Sequence, residues 1–126
     1  MNELIKGSIV FAIVLLIVDQ IWILGGKNIH FSVIEKVQKS SAKINIYPAI
    51  GFYLLSFLIW YYFLSKKDIT WKEAFIFGII LYGTFDLTNI AIFKDYPVWY
   101  GLADTIWGGL AIMTATIITQ KIIKLF

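Results

Sequence analysis

Three aspartates, Asp19, Asp86 and Asp104, interrupt stretches that are otherwise uncharged. Residues 7–26 carry no charge except Asp19, residues 74–93 none except Asp86, residues 96–120 none except Asp104, and residues 44–65 none at all. An ionisable group in hydrocarbon costs about 2.5–3.5 kcal/mol even on lenient insertion scales, so acids in such a setting mark a functional polar site by default. No Lys or Arg shares these stretches, and three like charges repel. Some of the acids must therefore hold a proton, bind a cation or reach water.

The elements that position these acids follow from length and composition. Of 126 residues, 60% are apolar, 17% aromatic and only 15% charged. Four apolar segments of roughly 20 residues match the length needed to cross a hydrocarbon core of about 30 Å. The pattern predicts an all-α integral membrane protein, a single four-helix transmembrane domain over 1–126, with helices near 4–25, 45–65, 71–93 and 98–122. The first segment is read as a helix rather than a signal peptide. No small-x-small site follows it, and Asp19 and Trp22 interrupt the apolar run.

Short polar connections at Ser65–Thr70 and Lys94–Pro97 make the neighbouring helices antiparallel, which gives an up-down bundle. Thr70 is expected to cap the third span, with Glu73 completing a capping box. Between the first two spans, Gly25-Gly26 breaks the helix. Ile29, Val33, Ile34 and Val37 then recur at helical spacing, which predicts a short amphipathic surface helix with those four residues as its buried stripe.

In an antiparallel bundle Asp19, Asp86 and Asp104 fall toward one membrane face, within about 10 Å of the helix ends at 1.5 Å per residue. That face also holds Asn45, Tyr47 and the amphipathic connection, so a polar pocket lidded by residues 28–43 is expected. Tyr82, Asp86 and Asn89 share one helix face, and Tyr53 lies on the inward face of the second span. Gly101, Asp104, Gly108, Ala111 and Ala115 form a small-residue stripe of the kind that lets membrane helices approach closely. Two local motifs match, Asp19-x-x-Trp22 and Asp104-x-x-Trp107, and each indole is expected to flank its own aspartate. Trp22, Trp60, Trp71 and Trp99 read as an interfacial belt, and His30 as an exposed surface residue.

The run Tyr82-Gly-Thr-Phe-Asp86-Leu-Thr-Asn89, the Tyr96-Pro97 turn and Asp104-x-x-Trp107-Gly108 resemble the signature of an uncharacterised family of predicted four-helix membrane proteins. The resemblance extends to Asp19-x-x-Trp22 and Phe52-Tyr53-Leu-Leu and so covers nearly the whole chain. It departs at Phe85 and Tyr96, where the family carries Tyr and Trp. The resemblance implies membrane location and these motif positions, and it implies no established activity.

Several chemistries are excluded or disfavoured. With no cysteine there are no disulfides, thiol nucleophiles or thiolate metal sites. All eleven cationic side chains are lysine, and a net charge of +3 is too small and dispersed to suggest nucleic acid. No phosphate loop, HExxH motif or other cofactor signature is present, so no cofactor is expected and the metal question stays open. The paired aspartates resemble those of intramembrane aspartyl proteases, but that family's glycine pattern and Pro-Ala-Leu element are missing.

The reading is a site in which Asp19, Asp86, Asp104, Asn89, Tyr82, Trp22, Trp107 and Tyr53 bind or relay a proton, a cation or a small polar solute. A transporter or channel-like role is the first class, and a homo-oligomer in the lipid bilayer is expected because four helices enclose little space. A lipid-binding or lipid-modifying role, or a structural or accessory subunit, is the alternative. Six lysines on one side against five on the other place both termini in the cytoplasm by a narrow margin.

Overall fold

The structure, a computed structural model, describes residues 2–126, and among them every regular element is helical. The helices are α1 (Glu3–Gly25), α2 (Lys27–Gln38), α3 (Ile46–Ile59), α4 (Trp71–Ile92) and α5 (Val98–Ile123). A π-helical turn, Trp60–Leu64, continues α3. Four helices are long and apolar enough to cross a membrane, the shortest being the 19 residues of Ile46–Leu64. At 1.5 Å per residue that span covers about 28 Å.

Local chemistry sets the helix ends. The Asn2 side chain accepts from the Ile5 amide at 2.8 Å and opens α1. The Asn45 side chain accepts from the Tyr47 amide at 3.2 Å and opens α3. At α4 the expected cap forms: the Glu73 amide donates to the Thr70 hydroxyl at 3.1 Å. That hydroxyl in turn donates to the Glu73 carboxylate at 3.1 Å. Each cap satisfies an otherwise orphaned helix amide.

The spans pack in the order α3, α1, α5, α4, with the most extensive contact between α4 and α5. Small residues let the last pair touch backbone to backbone. A Cβ on Gly78 would collide with the Gly108 carbonyl, and one on Gly101 would meet Ile90 and Tyr96. Further along α5, Phe11 and Leu15 of α1 and Ala74 of α4 join Ala111, Ile112 and Ala115 in the core.

The turn Trp60–Leu64 departs from the interfacial belt expected for Trp60. Its indole is 2% exposed and stacks on Phe11 with ring centroids 5.5 Å apart. Gly7 makes the room, because a Cβ there would overlap the indole nitrogen. The Ser65 amide reaches the Trp60 carbonyl at 3.0 Å, five residues back. This wider turn offsets the drift that a four-residue repeat accumulates on a 3.6-residue helix, and so keeps Ser56, Trp60 and Leu64 on one buried face. Trp71 and Trp99 are exposed, as an interfacial belt requires.

The helix between the first two spans is present, and the four apolar residues of its stripe divide between the bundle and the outer surface of the protein. Val33 is buried and Val37 half-buried, whereas Ile29 and Ile34 are exposed. His30, expected on the surface, is 7% exposed. The physical reason is a polar anchor: one ring nitrogen lies 2.6 Å from the Tyr100 hydroxyl and the other 3.0 Å from the Trp22 carbonyl. A carbonyl only accepts, so Nε2 carries the hydrogen and, in the neutral ring, Nδ1 accepts from Tyr100. The ring folds back over Gly26, where a Cβ would stand 2.9 Å from Nε2. The helix ends at Gln38 with Lys39 in the left-handed region (φ 61°), and residues 40–45 follow as an irregular strap.

A candidate intramembrane acid site

Asp19 and Asp86 are buried and Asp104 is half-buried, and each of the three draws a donor from another element. Asp86 is fully buried on α4. Tyr96, in the α4–α5 turn, folds back to donate its hydroxyl to Asp86 Oδ1 at 2.8 Å. The Thr105 hydroxyl on α5 approaches Oδ2 at 3.2 Å and also bonds the Gly101 carbonyl at 2.8 Å. Asp86 and Asp104 are neighbours across the α4–α5 seam.

Asp19, 7% exposed on α1, receives hydroxyls from two other helices. Tyr53 of α3 stands 3.3 Å from Oδ2, and Tyr82 of α4 stands 3.4 Å from Oδ1. To reach α1, the Tyr82 ring must cross α5, and it does so over Gly108, where any Cβ would overlap the ring.

The two Asp-x-x-Trp motifs are arranged crosswise. Each indole was expected to flank the aspartate of its own helix, yet Trp22 donates to Asp104 Oδ1 on α5 at 3.1 Å. Trp107 in turn approaches Asp19 without completing a hydrogen bond, and its buried N–H has no acceptor. The indoles stack with centroids 4.9 Å apart and planes 8° from parallel. Antiparallel packing explains the exchange. On each helix the Trp lies one turn after the Asp, so opposed helices bring each indole level with the partner's acid.

Of the residues singled out from sequence, Asp19, Asp86, Asp104, Tyr53, Tyr82, Trp22 and Trp107 are brought into this assembly. Asn89 lies beside the Tyr96 hydroxyl, and among the described residues it hydrogen bonds none of the three acids. Tyr96, Thr105, His30 and Tyr100 were not singled out as site residues. Tyr96 lies beyond the end of its helix and Thr105 is 100° around the helix from Asp104, so periodicity hides both.

The expected polar pocket beneath α2 has a different lining. A cavity of about 290 Å³ does lie between α1, α2 and α5, but aromatic side chains line it: Trp22, His30, Trp99, Tyr100 and Trp107. None of the three acids lines it. Among the described residues the only ion pair is Lys39–Asp95 at 2.9 Å, on the surface, so no lysine pairs with Asp19, Asp86 or Asp104. No group of three or more His, Asp or Glu side chains among the described residues has metal-ligating geometry.

Four apolar spans carrying three aspartates between them define a polytopic helical membrane protein. Residues 4–120 match the model of the family described as "Predicted membrane protein (DUF2177)", and the chain belongs to that family. No curated protein and no solved structure matches the chain.

Proposed function

We propose that this membrane protein binds or relays a proton, a cation or a small polar solute through Asp19, Asp86 and Asp104, as a transporter or channel-like protein. In this reading both termini are cytoplasmic and the working unit is a homo-oligomer. The observation that carries it is the set of three intramembrane carboxylates, two buried and Asp104 half-buried, with no cationic partner among the described residues. Such a set is costly to hold in hydrocarbon unless something outside the chain balances it. The closeness of Asp86 and Asp104 supports a shared proton. The hydroxyls of Tyr53, Tyr82, Tyr96 and Thr105 supply groups that both donate and accept, which a proton relay needs. The lack of a three-ligand cluster among the described residues disfavours a tightly held divalent metal.

A structural reading also has support, since Asp86 accepts from Tyr96 of the α4–α5 turn and Asp19 accepts from Tyr53 and Tyr82 on two other helices. The substitution Asp86→Asn separates the two. It keeps shape and most hydrogen bonding while removing the titratable proton. In reconstituted vesicles, pH-dependent proton or cation flux should be abolished with folding intact. If Asp86→Asn is silent while Asp86→Ala loses about 0.6–2 kcal/mol, the span measured for membrane interhelical hydrogen bonds, the transport reading falls and the lock remains.

A further inference from the structure

The cavity beneath α2 has a lining that selects a ligand class. It is lined by Trp22, Trp99, Tyr100 and Trp107, with Ile21 and Ile29 beside them and His30 on the α2 side. Aromatic faces carry negative quadrupole density and attract cations without offering a hydrogen bond. Beside this lining stands Asp104, held by the Trp22 indole at 3.1 Å and flanked in the chain by Ala103, which also lines the cavity. No lysine of the chain pairs with it among the described residues. In a low-dielectric setting that charge is felt across one layer of side chains. The volume, about 290 Å³, suits a small organic cation rather than a bare ion, for which the one side-chain oxygen of this lining, the Tyr100 hydroxyl, is already paired with His30.

We infer that this aromatic cavity is a binding site for a quaternary ammonium or similarly apolar organic cation, seated on Trp22, Trp99 and Trp107 with Asp104 as its counter-charge. The inference rests on the reading of Asp104 as an acid whose balancing charge comes from outside the chain, and it adds the chemical class of what supplies it. It does not need the three acids to relay protons. His30 closes one side by two hydrogen bonds, so the cavity exists only while α2 is docked. The same ammonium chemistry occurs in a free solute and in the headgroup of a choline phospholipid.

The test uses the full chain in nanodiscs of phosphatidylglycerol, with benzyltrimethylammonium as the probe and calorimetric titration as the readout. Saturable binding is expected. The neutral isostere neopentylbenzene, which has the same shape without the charge, should bind at least about tenfold more weakly, as loss of a desolvated cation–π contact implies. Trp99→Leu alters a ring that is 60% exposed, and should weaken the probe about three- to thirtyfold. Asp104→Asn should weaken it as well, with the neutral isostere unaffected. Adding phosphatidylcholine to the discs separates the sources: competition with the probe assigns the site to the lipid headgroup, and its absence assigns it to a free solute. Equal affinity for probe and isostere, or no saturable binding by folded protein, overturns the inference. The flux test on Asp86→Asn is independent, so the cavity can stand where the relay fails, and the reverse.

Discussion

Trp22 on α1 donates its indole N–H to Asp104 on α5, 82 positions away in sequence, at 3.1 Å. Its counterpart Trp107 stacks on it but leaves its own N–H without an acceptor. The two matching motifs are therefore unequal in energy. Trp22→Phe keeps most of the stacking surface and loses the hydrogen bond, so it should destabilise by about 0.6–2 kcal/mol. Trp107→Phe loses only ring area and should cost less. Unfolding measured by steric trapping in bicelles checks the order, and equal costs would mean that stacking alone holds the α1–α5 contact.

The α4–α5 seam makes a second prediction through Gly78. A Cβ there would strike the Gly108 carbonyl and the Gly109 Cα, and backbone cannot swing aside. Gly78→Ala should therefore lose about 1–3 kcal/mol, the usual cost of overpacking. At Gly83 the nearest obstacle is the Thr105 methyl at 3.2 Å, which can shift by a few tenths of an ångström. Gly83→Ala also gains helix propensity of about 1 kcal/mol, so the net change should be close to zero. The same unfolding assay compares the two variants side by side.

These relationships show what the sequence could and could not reveal. Span length and the lack of charge locate four membrane helices, since both are local properties. The Thr70–Glu73 cap and the small residues of α5 are legible for the same reason. Trp60 was misjudged because an indole at a helix end suits either an interface or a core, and only the space above Gly7 decides between them. His30 was misjudged because its partners, Tyr100 and the Trp22 carbonyl, come from two other helices. The crosswise use of the two tryptophans depends on the relative height of α1 and α5, which no repeat within either helix encodes.

A third prediction concerns the surface ion pair between Lys39 and Asp95, which ties the end of α2 to the α4–α5 turn at 2.9 Å. The Lys39 ammonium beside Asp95 holds its carboxyl below the usual carboxylate range. A depressed folded value means that the pair's contribution is complete above the ordinary aspartate value of about 3.9 and is lost as pH falls through the lower folded value. Docking of the α2 end should thus be flat with pH near neutrality and weaken only in strong acid. Added salt should weaken it too, because both partners are solvated. An NMR titration of Asp95 checks this, and Lys39→Met should move its midpoint upward. An unchanged midpoint would show that the pair does not form in solution.

The last prediction addresses how α2 is held over the aromatic cavity. His30 has one fixed role for each nitrogen, donating from Nε2 to the Trp22 carbonyl and accepting at Nδ1 from Tyr100. Nitrogen NMR of the neutral ring should find the hydrogen on Nε2. Tyr100→Phe removes one donor and keeps the ring, which should cost about 0.5–1.5 kcal/mol. His30→Ala leaves the Tyr100 hydroxyl without its partner and opens space between three helices, so it should cost about 1–3 kcal/mol. Because the two changes remove the same hydrogen bond, their sum should exceed the double variant by about 0.5–3 kcal/mol. Undocking has a direct readout as well: a cysteine at Val33, buried under α2, should label slowly in the parent and quickly once His30 is replaced. Strict additivity together with slow labelling in both would mean that α2 is held by Val33 and Val37 alone, and that the histidine is a passenger.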